Sequence, residues 1–443
     1  MENFEYNHSV SLNPDKCVGC TSCLKRCPTE AIRIRNGKAH INASRCIDCG
    51  ECIRMCAHKA KKAAYDHFDS LERFKYKIAL PAPSLYGQFN NLYDLDYLIE
   101  GLYKVGFDDV FEVSCAAETV TGYTRHYLMR GDIKKPVISS ACPAVVRLIS
   151  LRYPELCDHL LPIKSPMEIA AMEARKKALS EHPELKKEDV GIAFISPCPA
   201  KISFVKNRPA DDKTEVDVVL AVSEVYFSLI SAMDAGIAPE HSSDSGMIGV
   251  SWASSGGESS ALFNEKYLAA DGIENVIMVL DHLEDESLSE LEFIELNACN
   301  GGCSGGVLSV ENPYIANARL TNIRRTLPIT NTVIRSKPGE GSVDVPAEYS
   351  MRHVDFIEAP PLGKTLGESL EKMAKIEKLC QRLPDHDCGS CGSPTCRAFA
   401  EDVVKGETTE DECIVNMRSL IEELARNYRA DGDITTPADD NNG

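Results

Sequence analysis

Two closely spaced runs of cysteines near the N-terminus constrain the fold of this chain more than any other feature. They are Cys17-x-x-Cys20-x-x-Cys23-x-x-x-Cys27 and Cys46-x-x-Cys49-x-x-Cys52-x-x-x-Cys56. Soft thiolates at these spacings suit iron and sulfide, whereas tetrahedral zinc sites seldom stack three cysteines at two-residue gaps twice over. The runs therefore predict iron–sulfur clusters, with structural zinc as the alternative.

The repeated run resembles the pattern of bacterial two-cluster ferredoxins, in which the fourth cysteine of each run ligates the other cluster. The resemblance implies an N-terminal ferredoxin-like α+β module over residues 1–65 that carries electrons. Its two 4Fe-4S clusters would take Cys17, Cys20, Cys23 and Cys56, and Cys46, Cys49, Cys52 and Cys27.

Length and charge limit the remaining classes of protein. At 443 residues the chain exceeds what one hydrophobic core usually serves, so we expect two or three domains. A net charge of -19 lacks the basic surface that binding to nucleic acid requires. The sequence has neither a secretory signal at its start nor an apolar run of membrane-spanning length. We therefore expect a cytoplasmic protein without membrane insertion, whose reduced cysteines bind metal instead of forming disulfides.

Residues 76–350 alternate between short apolar runs and amphipathic segments, which is typical of parallel sheets covered by helices. We predict an α/β domain with two lobes over this interval. Helical periodicity marks residues 167–179 and 224–233, and Ser165 with Glu168 forms a capping box before the first of them. The runs that predict strands are 78–80, 110–113, 136–139, 190–196, 216–222, 276–280 and 291–296.

Four further cysteines stand in three loops, and each loop follows an apolar run that predicts a buried strand. Ligands of parallel α/β sheets collect beyond the carboxyl ends of strands, so we expect these thiols to meet in one cleft. Gly301 and Gly302 let the backbone lie close to what the thiols hold. The loops are Ser139-Ser-Ala-Cys142-Pro, Ser196-Pro-Cys198-Pro-Ala-Lys201 and Glu295-Leu-Asn-Ala-Cys299-Asn-Gly-Gly-Cys303.

This set, in this order, resembles the active-site domain of the iron-only (FeFe) hydrogenases. The resemblance implies an H-cluster, in which a 4Fe-4S cluster on Cys142, Cys198, Cys299 and Cys303 is joined through Cys303 to a two-iron subcluster with CO, CN and a dithiolate amine. Lys201 matches the family lysine that donates a hydrogen bond to a cyanide ligand, although a solvated surface lysine is the alternative. Cys303 and Lys201 would thus be catalytic residues of an oxidoreductase that converts H2 reversibly to two protons and two electrons.

The chain departs from the family at positions that handle protons. Ala141 replaces a cysteine that relays protons to the bridgehead amine, and Phe204 replaces a glutamate on the same path. Loss of one such relay costs on the order of 10² to 10⁴ in rate. Ser196 and Asn297 replace methionines and would change hydrogen bonding around the two-iron subcluster. The pattern resembles the sensory branch without a PAS domain and predicts slow turnover in a sensor of H2 or redox state.

Two other functions remain open. The chain could be a fully competent hydrogenase with a different proton path, through water or Glu118, although Glu118 also fits a helix first-turn acid. It could also be a hydrogenase-like protein of iron–sulfur assembly or electron transfer without the two-iron subcluster. The expected partners are H2, a redox partner such as ferredoxin and a separate signalling protein.

The C-terminal part carries Cys388-x2-Cys391-x4-Cys396-x16-Cys413 after a helical run near residues 366–379. This spacing resembles a small 4Fe-4S domain of the corrinoid iron–sulfur protein, so we expect a third accessory cluster over residues 366–428, with zinc as the alternative. The acidic segment 430–443 is predicted to be disordered. Cys115, Cys157 and Cys380 lack ligand spacing and are predicted to be structural.

Overall fold

The computed structural model describes residues 6–208, 212–233, 238–285, 287–330 and 344–431. Contacts divide the chain into two compact units. The larger unit comprises Met1–Leu12, Ala43–Arg54 and Lys61–Glu358, and the smaller unit comprises Asn13–Asn42, Met55–Ala60 and Ala359–Gly443. The N-terminal interval 1–65 is therefore shared between the two units.

The strands and helices of the described residues follow in chain order. The strands are β1 (Val10–Leu12), β2 (Ile32–Arg35), β3 (Lys38–Ile41), β4 (Lys61–Ala63), β5 (Tyr76–Pro81), β6 (Asp109–Val110), β7 (Val137–Ile138), β8 (Val190–Ser196), β9 (Val218–Ala221), β10 (Tyr267–Asp271) and β11 (Phe293–Asn297). The helices are α1 (Ser22–Lys25), α2 (Glu51–Arg54), α3 (Asp96–Val105), α4 (Val113–Leu128), α5 (Pro143–Arg152), α6 (Pro166–Glu181), α7 (Pro199–Lys206), α8 (Val222–Ala232), α9 (Met247–Ser251), α10 (Gly257–Ala261), α11 (Ile273–Glu284), α12 (Pro313–Arg324), α13 (Leu366–Cys380), α14 (Cys396–Lys405) and α15 (Ile414–Asp431).

The larger unit contains two parallel sheets, which confirms the predicted α/β class with two lobes. One sheet has the order β6-β5-β8-β9 and the other the order β10-β11-β7. Every residue of β8 is buried, which is why this strand forms an unbroken apolar run in the sequence. In the same unit, β1 pairs antiparallel with β4. No helix in the described ranges is long and apolar enough to cross a membrane.

One predicted strand is wrong. Residues 276–280 lie inside α11, whose buried residues Ile273, Val276 and Leu280 recur at helical spacing and pack on the sheet side. An apolar run of this length does not by itself distinguish a buried strand from a buried helix face. The neighbouring strand is β10 instead, and its moderately exposed residues gave no strong apolar signal. The predicted strand at 110–113 also ends early, because α4 begins at Val113.

The capping box predicted before α6 is present. The backbone N–H and hydroxyl of Ser165 both donate to Glu168 Oε2, at 3.0 and 2.9 Å, and Pro166 occupies the first helical turn. Such a reciprocal cap satisfies backbone groups that the helix start would otherwise leave unpaired. These residues are therefore explained by helix geometry.

The smaller unit combines the β2–β3 hairpin and α1 with the C-terminal helices α13 to α15. Its hydrophobic core includes Ile376, Leu379 and Phe399, which pack α13 against α14. The predicted helix near 366–379 corresponds to α13. Helix α15 continues to Asp431, one residue beyond the predicted start of the disordered tail at 430, and the rest of that tail lies outside the described residues.

The contact between α9 and α4 generates a test of the packing. A Cβ at Gly249 would lie 2.1 Å from the carbonyl oxygen of Ser114, so Gly249→Ala must push α9 away from α4. We expect it to lower the free energy of unfolding by about 1–3 kcal/mol, measured by denaturant titration followed by circular dichroism. Gly131→Ala is the matched control, because nothing lies within 4 Å of that Cβ. Equal unfolding midpoints for both variants would contradict the tight contact.

Candidate metal centre

Two of the active-site cysteines occupy the start of a helix. Cys142 is the N-cap of α5 and Cys198 the N-cap of α7, and a proline follows each at the first helical position. Proline is preorganised for that position, and the partial positive charge of a helix start favours a thiolate beside it. The Cys-Pro pairs therefore follow strands β7 and β8 and place each thiol at the start of a helix.

The third loop, after β11, requires its glycines. Gly302 has φ +76°, and a Cβ there would lie 2.5 Å from the backbone nitrogen of Ser255. A Cβ at Gly306 would lie 2.1 Å from the carbonyl oxygen of Pro197. The glycines thus let the loop that carries Cys299 and Cys303 pack against neighbouring backbone, including the loop of Cys198.

The four thiols of these loops lie close enough to affect one another's ionisation. Burial raises the pKa of Cys299 well above its ordinary value, and the charges of Cys198, Cys142 and Cys303 raise it further. The pKa of Cys303 rises to about 11, again chiefly through burial. The structure therefore brings together the four cysteines that the sequence analysis selected.

Lys201 lies among these thiols and is not the solvated surface lysine of the alternative interpretation. Burial alone would lower the pKa of its ammonium, but the thiolates of Cys303, Cys198, Cys142 and Cys299 outweigh burial and raise the pKa above its ordinary value. Among the described residues, Lys201 forms no hydrogen bond or ion pair with a protein group. The thiolates are therefore the negative groups that the charge of Lys201 compensates.

A cavity of about 60 Å³ opens beside this centre. Cys303, Lys201, Ala141 and Asn297 line it, together with apolar side chains such as Met167. Of the four thiols, only Cys303 lines the cavity. Ala141 presents a methyl group, so no titratable side chain stands at that position.

Ser196 and Asn297 replace family methionines in different ways. Ser196 is fully buried and does not line the cavity; its hydroxyl donates to Cys198 O at 2.9 Å and accepts from Cys198 N at 3.2 Å. Asn297 lines the cavity and donates from Nδ2 to Glu295 Oε1 at 2.8 Å. Ser196 therefore shapes the Cys198 loop, whereas Asn297 orients a carboxylate.

Phe204, which replaces the family glutamate, is part of the packing and does not line the cavity. It packs against the core of the larger unit, and the guanidinium of Arg208 lies 4.1 Å from its ring centroid. Arg208 in turn pairs with Glu168 at 2.6 Å. The ring of Phe204 under a guanidinium therefore has a packing role and offers no titratable group at this position.

Glu258 and Glu295 form a buried carboxyl pair in the wall of the cavity, and sequence reasoning assigned a role to neither. Burial raises the pKa of both, and for Glu258 the charge of Glu295 adds to it. Glu295 accepts from Gly256 N, Ser259 N and Asn297, whereas Glu258 accepts from Ser139 Oγ at 2.6 Å. Glu295, with three donors, is therefore the better anion, and Glu258 the better acid.

Glu118, the proton carrier considered from the sequence, lies elsewhere. It is buried in α4 and accepts a hydrogen bond from Thr330 Oγ1 at 2.5 Å, and it does not line the cavity.

The three cysteines without ligand spacing lie in different places. Cys157 is buried, Cys115 donates to the carbonyl of Asp244, and Cys380 lies near Cys396. For Glu295 a signal existed, since it is a charged residue inside a buried strand, but nothing in the sequence marked Glu258.

The smaller unit contains the whole first run, Cys56 of the second run, Cys380 of α13 and the four cysteines of the C-terminal motif. Cys391, Cys413 and Cys388 interact electrostatically, and burial raises the pKa of Cys391. Gly389 and Gly392 have φ of +77° and +81°, in keeping with tight turns around a bound group. Within the described ranges, no three or more Cys, His, Asp or Glu residues could hold a single metal ion. A four-iron cluster takes ligands further apart than one ion does, so its prediction is unaffected.

The residues of the larger unit fit an H-cluster on three grounds. Soft thiolates suit an iron–sulfur core, and a buried ammonium stands beside them. The adjoining cavity also contains polar atoms that need a polar guest. Ser84 Oγ and Glu258 Oε1 are buried in its wall and have no hydrogen-bond partner among the described residues.

Comparison with known proteins agrees with this chemistry. Residues 75–263 match the profile of the iron only hydrogenase large subunit, C-terminal domain, which includes Cys142 and Cys198 but not Cys299 and Cys303. Residues 9–57 match a 4Fe-4S dicluster domain, and residues 383–415 a putative Fe-S cluster domain. The three matches agree with an iron–sulfur protein that is similar to iron-only hydrogenases over residues 75–263.

Relatives support the same class. The periplasmic Fe hydrogenase large subunit of Nitratidesulfovibrio vulgaris is 28% identical over 54% of this chain and 62% of that protein. Iron hydrogenase 1 of Clostridium pasteurianum is 24% identical over 67% of this chain and 56% of that protein. The chain is thus similar to iron-only hydrogenases over part of its length, and it spans only 62% and 56% of the length of these two relatives.

Solved structures of FeFe-hydrogenases also resemble the chain. The structure HydA(deltaEFG), described for stepwise H-cluster assembly, is 17% identical, with a TM-score of 0.48 over 65% of this chain and 98% of that chain.

The position of Lys201 generates a test of charge compensation. Its charge lowers the pKa of Cys198 and Cys303, and metal binding must displace the thiol protons. We expect Lys201→Met to raise, by about one pH unit, the pH at which the protein binds the iron of one 4Fe-4S cluster. Lys206→Met on the same helix is the control, because Lys206 pairs with Asp66 at 2.8 Å, away from the thiols. Iron and sulfide analysis after reconstitution across pH is the measurement, and identical curves for the two variants would contradict the role of Lys201.

Proposed function

We propose that the chain binds H2 in the cavity beside Cys303 and interconverts it slowly with two protons and two electrons, as a sensor of H2 or redox state. The observation that carries the proposal is the cavity itself. It combines the thiol of Cys303 and the ammonium of Lys201 with a methyl group, that of Ala141, where family enzymes place a proton relay. A site with this composition keeps residues that would hold the cofactor but lacks a titratable side chain at the position of the family's proton relay.

Cys142, Cys198, Cys299 and Cys303 would hold the 4Fe-4S part of an H-cluster, and Cys303 would join it to the two-iron subcluster. When bound, that group supplies an open iron position and an amine base for heterolytic cleavage of H2. Lys201 would donate a charge-assisted hydrogen bond to an anionic ligand in the cavity. The apolar wall, including Met167 and Phe194, would exclude bulk water and strengthen that interaction.

Protons would enter and leave through the carboxyl pair. Because burial and the charge of Glu295 raise the pKa of Glu258 well above that of an ordinary carboxyl group, Glu258 would be the member of the pair that keeps its proton to higher pH. Glu295, fixed by its three donors, would accept a proton as Glu258 gives one up. The slow proton transfer of the proposed sensor would thus run through Glu258, and not through Glu118 as considered from the sequence.

Electrons would pass between the 4Fe-4S part and the accessory clusters, and then to a redox partner such as ferredoxin. The matched ferredoxin-like domain supports that class of partner. A separate protein would convert the redox change into a signal. We place these events in the cytoplasm, where thiols remain reduced.

An iron–sulfur assembly or electron-transfer protein without the two-iron subcluster is the competing function. Such a protein would need the four thiols but not a cavity lined by an ammonium and a carboxyl pair. The buried polar atoms Ser84 Oγ and Glu258 Oε1, which face this cavity, favour the H2-binding function.

An infrared spectrum distinguishes the two functions. The protein is reconstituted with iron, sulfide and the two-iron subcluster, and the CO and CN stretches are recorded before and after H2. Metal-bound bands that shift under H2, with turnover at least tenfold below a prototypical hydrogenase, are the expected result. Absent bands in a protein that contains its 4Fe-4S clusters would reject the proposal in favour of the competing function.

The proton route has its own test. Glu258→Gln keeps the shape but removes the exchangeable carboxyl proton, and we expect H2 production to fall on the order of 10². Glu118→Gln is the control, buried to the same extent but outside the cavity, and should keep nearly the original rate. Production should also decline as pH rises through the raised pKa of Glu258, because the protonated acid disappears.

Adding a relay at the family position completes this test. Ala141→Cys should restore only part of the rate of a prototypical hydrogenase, because Phe204 still interrupts the family path.

Both tests measure the rate of H2 formation per cluster. A rate that falls in Glu118→Gln and not in Glu258→Gln would assign the proton route to Glu118 instead of Glu258.

A further inference from the structure

Within the smaller unit, the C-terminal cysteine loop packs directly on the first ferredoxin-like run. Gly389 follows Cys388, and a Cβ there would lie 3.0 Å from Cδ of Lys25 and 3.1 Å from Cδ2 of Leu24. Leu24 is the residue after Cys23, and the Lys25 ammonium donates to the carbonyl of Asp387. The residues next to one set of cysteines thus contact the residues next to the other.

A buried carboxylate holds the two parts together. Asp402 of α14 is 2% exposed and accepts from Arg33 Nε and Arg35 Nη2, each at 2.6 Å. Both arginines lie on β2, where residues two apart face the same side of the strand. Ser393, beside the C-terminal loop, also donates to Asp402 at 2.6 Å. Breaking a buried pair of this kind is costly, because one charge is left without compensation.

The backbones also meet without an intervening side chain. Ile34 N–H donates to the carbonyl of Gly392 at 2.8 Å, which adds the C-terminal loop to the edge of β2. Gly392 has φ +81°, and a Cβ there would lie 2.1 Å from the carbonyl oxygen of Ile34. Gly392 follows Cys391, so this contact again joins residues beside a predicted cluster ligand. The junction is therefore a fixed, close-packed contact.

We infer that the C-terminal cluster and the cluster of the first ferredoxin-like run form one electron-transfer pair, with the C-terminal cluster as the outer member. One electron leaves a reduced cluster and reduces its neighbour, and a low-potential one-electron carrier exchanges with the outer member. Electron tunnelling falls steeply with distance, so loops in direct contact favour this exchange. Cys388, exposed at the outer loop, is the side open to such a carrier. The inference rests on the proposed iron–sulfur occupancy and not on H2 chemistry.

Electron paramagnetic resonance of the reduced full chain, reconstituted with iron and sulfide only, tests the pairing. Two double variants remove one cluster each: Cys17→Ala with Cys20→Ala, and Cys46→Ala with Cys49→Ala. Loss of the first-run cluster should slow spin relaxation of the C-terminal cluster several-fold, because its paramagnetic neighbour is gone. Loss of the other cluster should leave this relaxation nearly unchanged.

Equal effects of the two double variants would overturn the pairing. Zinc in place of a C-terminal cluster, found by metal analysis, would overturn it as well. In either case the infrared response to H2 would be a separate result, so failure of the pairing is distinguishable from failure of the proposed function.

The salt bridges of Asp402 with Arg33 and Arg35, called the clamp here, provide a second readout. Asp402→Asn should weaken the junction and slow relaxation of the C-terminal cluster at least twofold while iron content is retained. Glu377→Gln is the control, since it breaks only the exposed pair with Arg397 on neighbouring helices. Should Asp402→Asn lose iron, Arg33→Gln replaces it. This variant removes one of the two salt bridges to Asp402 and should slow relaxation to a smaller but measurable extent, because Arg35 still contacts the carboxylate. Unchanged relaxation in an iron-loaded clamp variant would contradict the inference.

Discussion

Four half-buried thiols and one half-buried ammonium lie together in the larger unit, and the balance of their charges constrains the site. Burial raises the pKa of Cys198, Cys299 and Cys303, and each thiolate further disfavours the next. Lys201 opposes this repulsion because α7 starts one residue after Cys198 and carries the ammonium around its first turn. The ends of strands β7, β8 and β11 must therefore meet within reach of one helix start.

In the proposed function, the proton route is changed without loss of the predicted metal ligands. Ala141 and Phe204 remove two titratable groups, and the space at Phe204 is filled by packing with Arg208. Glu258 and Glu295 stand in the same cavity but come from α10 and β11. The thiols and Lys201 remain where the fold places them, so the proposed sensor differs from its relatives in proton handling.

Much of this arrangement could be predicted. The spacing of the cysteines and the capping box of Ser165 and Glu168 are local patterns, and the structure contains the predicted α6 and β8. The strand predicted at 276–280 was wrong because an apolar run fits a buried helix face equally well. Phe204 could be identified as a lost relay, but its pairing with Arg208 depends on packing between segments.

By itself the sequence determined which residues could bind iron and sulfide, because thiolate chemistry and ligand spacing are properties of short segments. It also determined that Ala141 carries no proton, since that follows from the side chain alone. Only the tertiary structure decided that Glu258 and Glu295 face the cavity, and that Asp402 joins Arg33 and Arg35. Those facts depend on side chains from distant segments being buried together, and burial sets both their pKa and the cost of separating them.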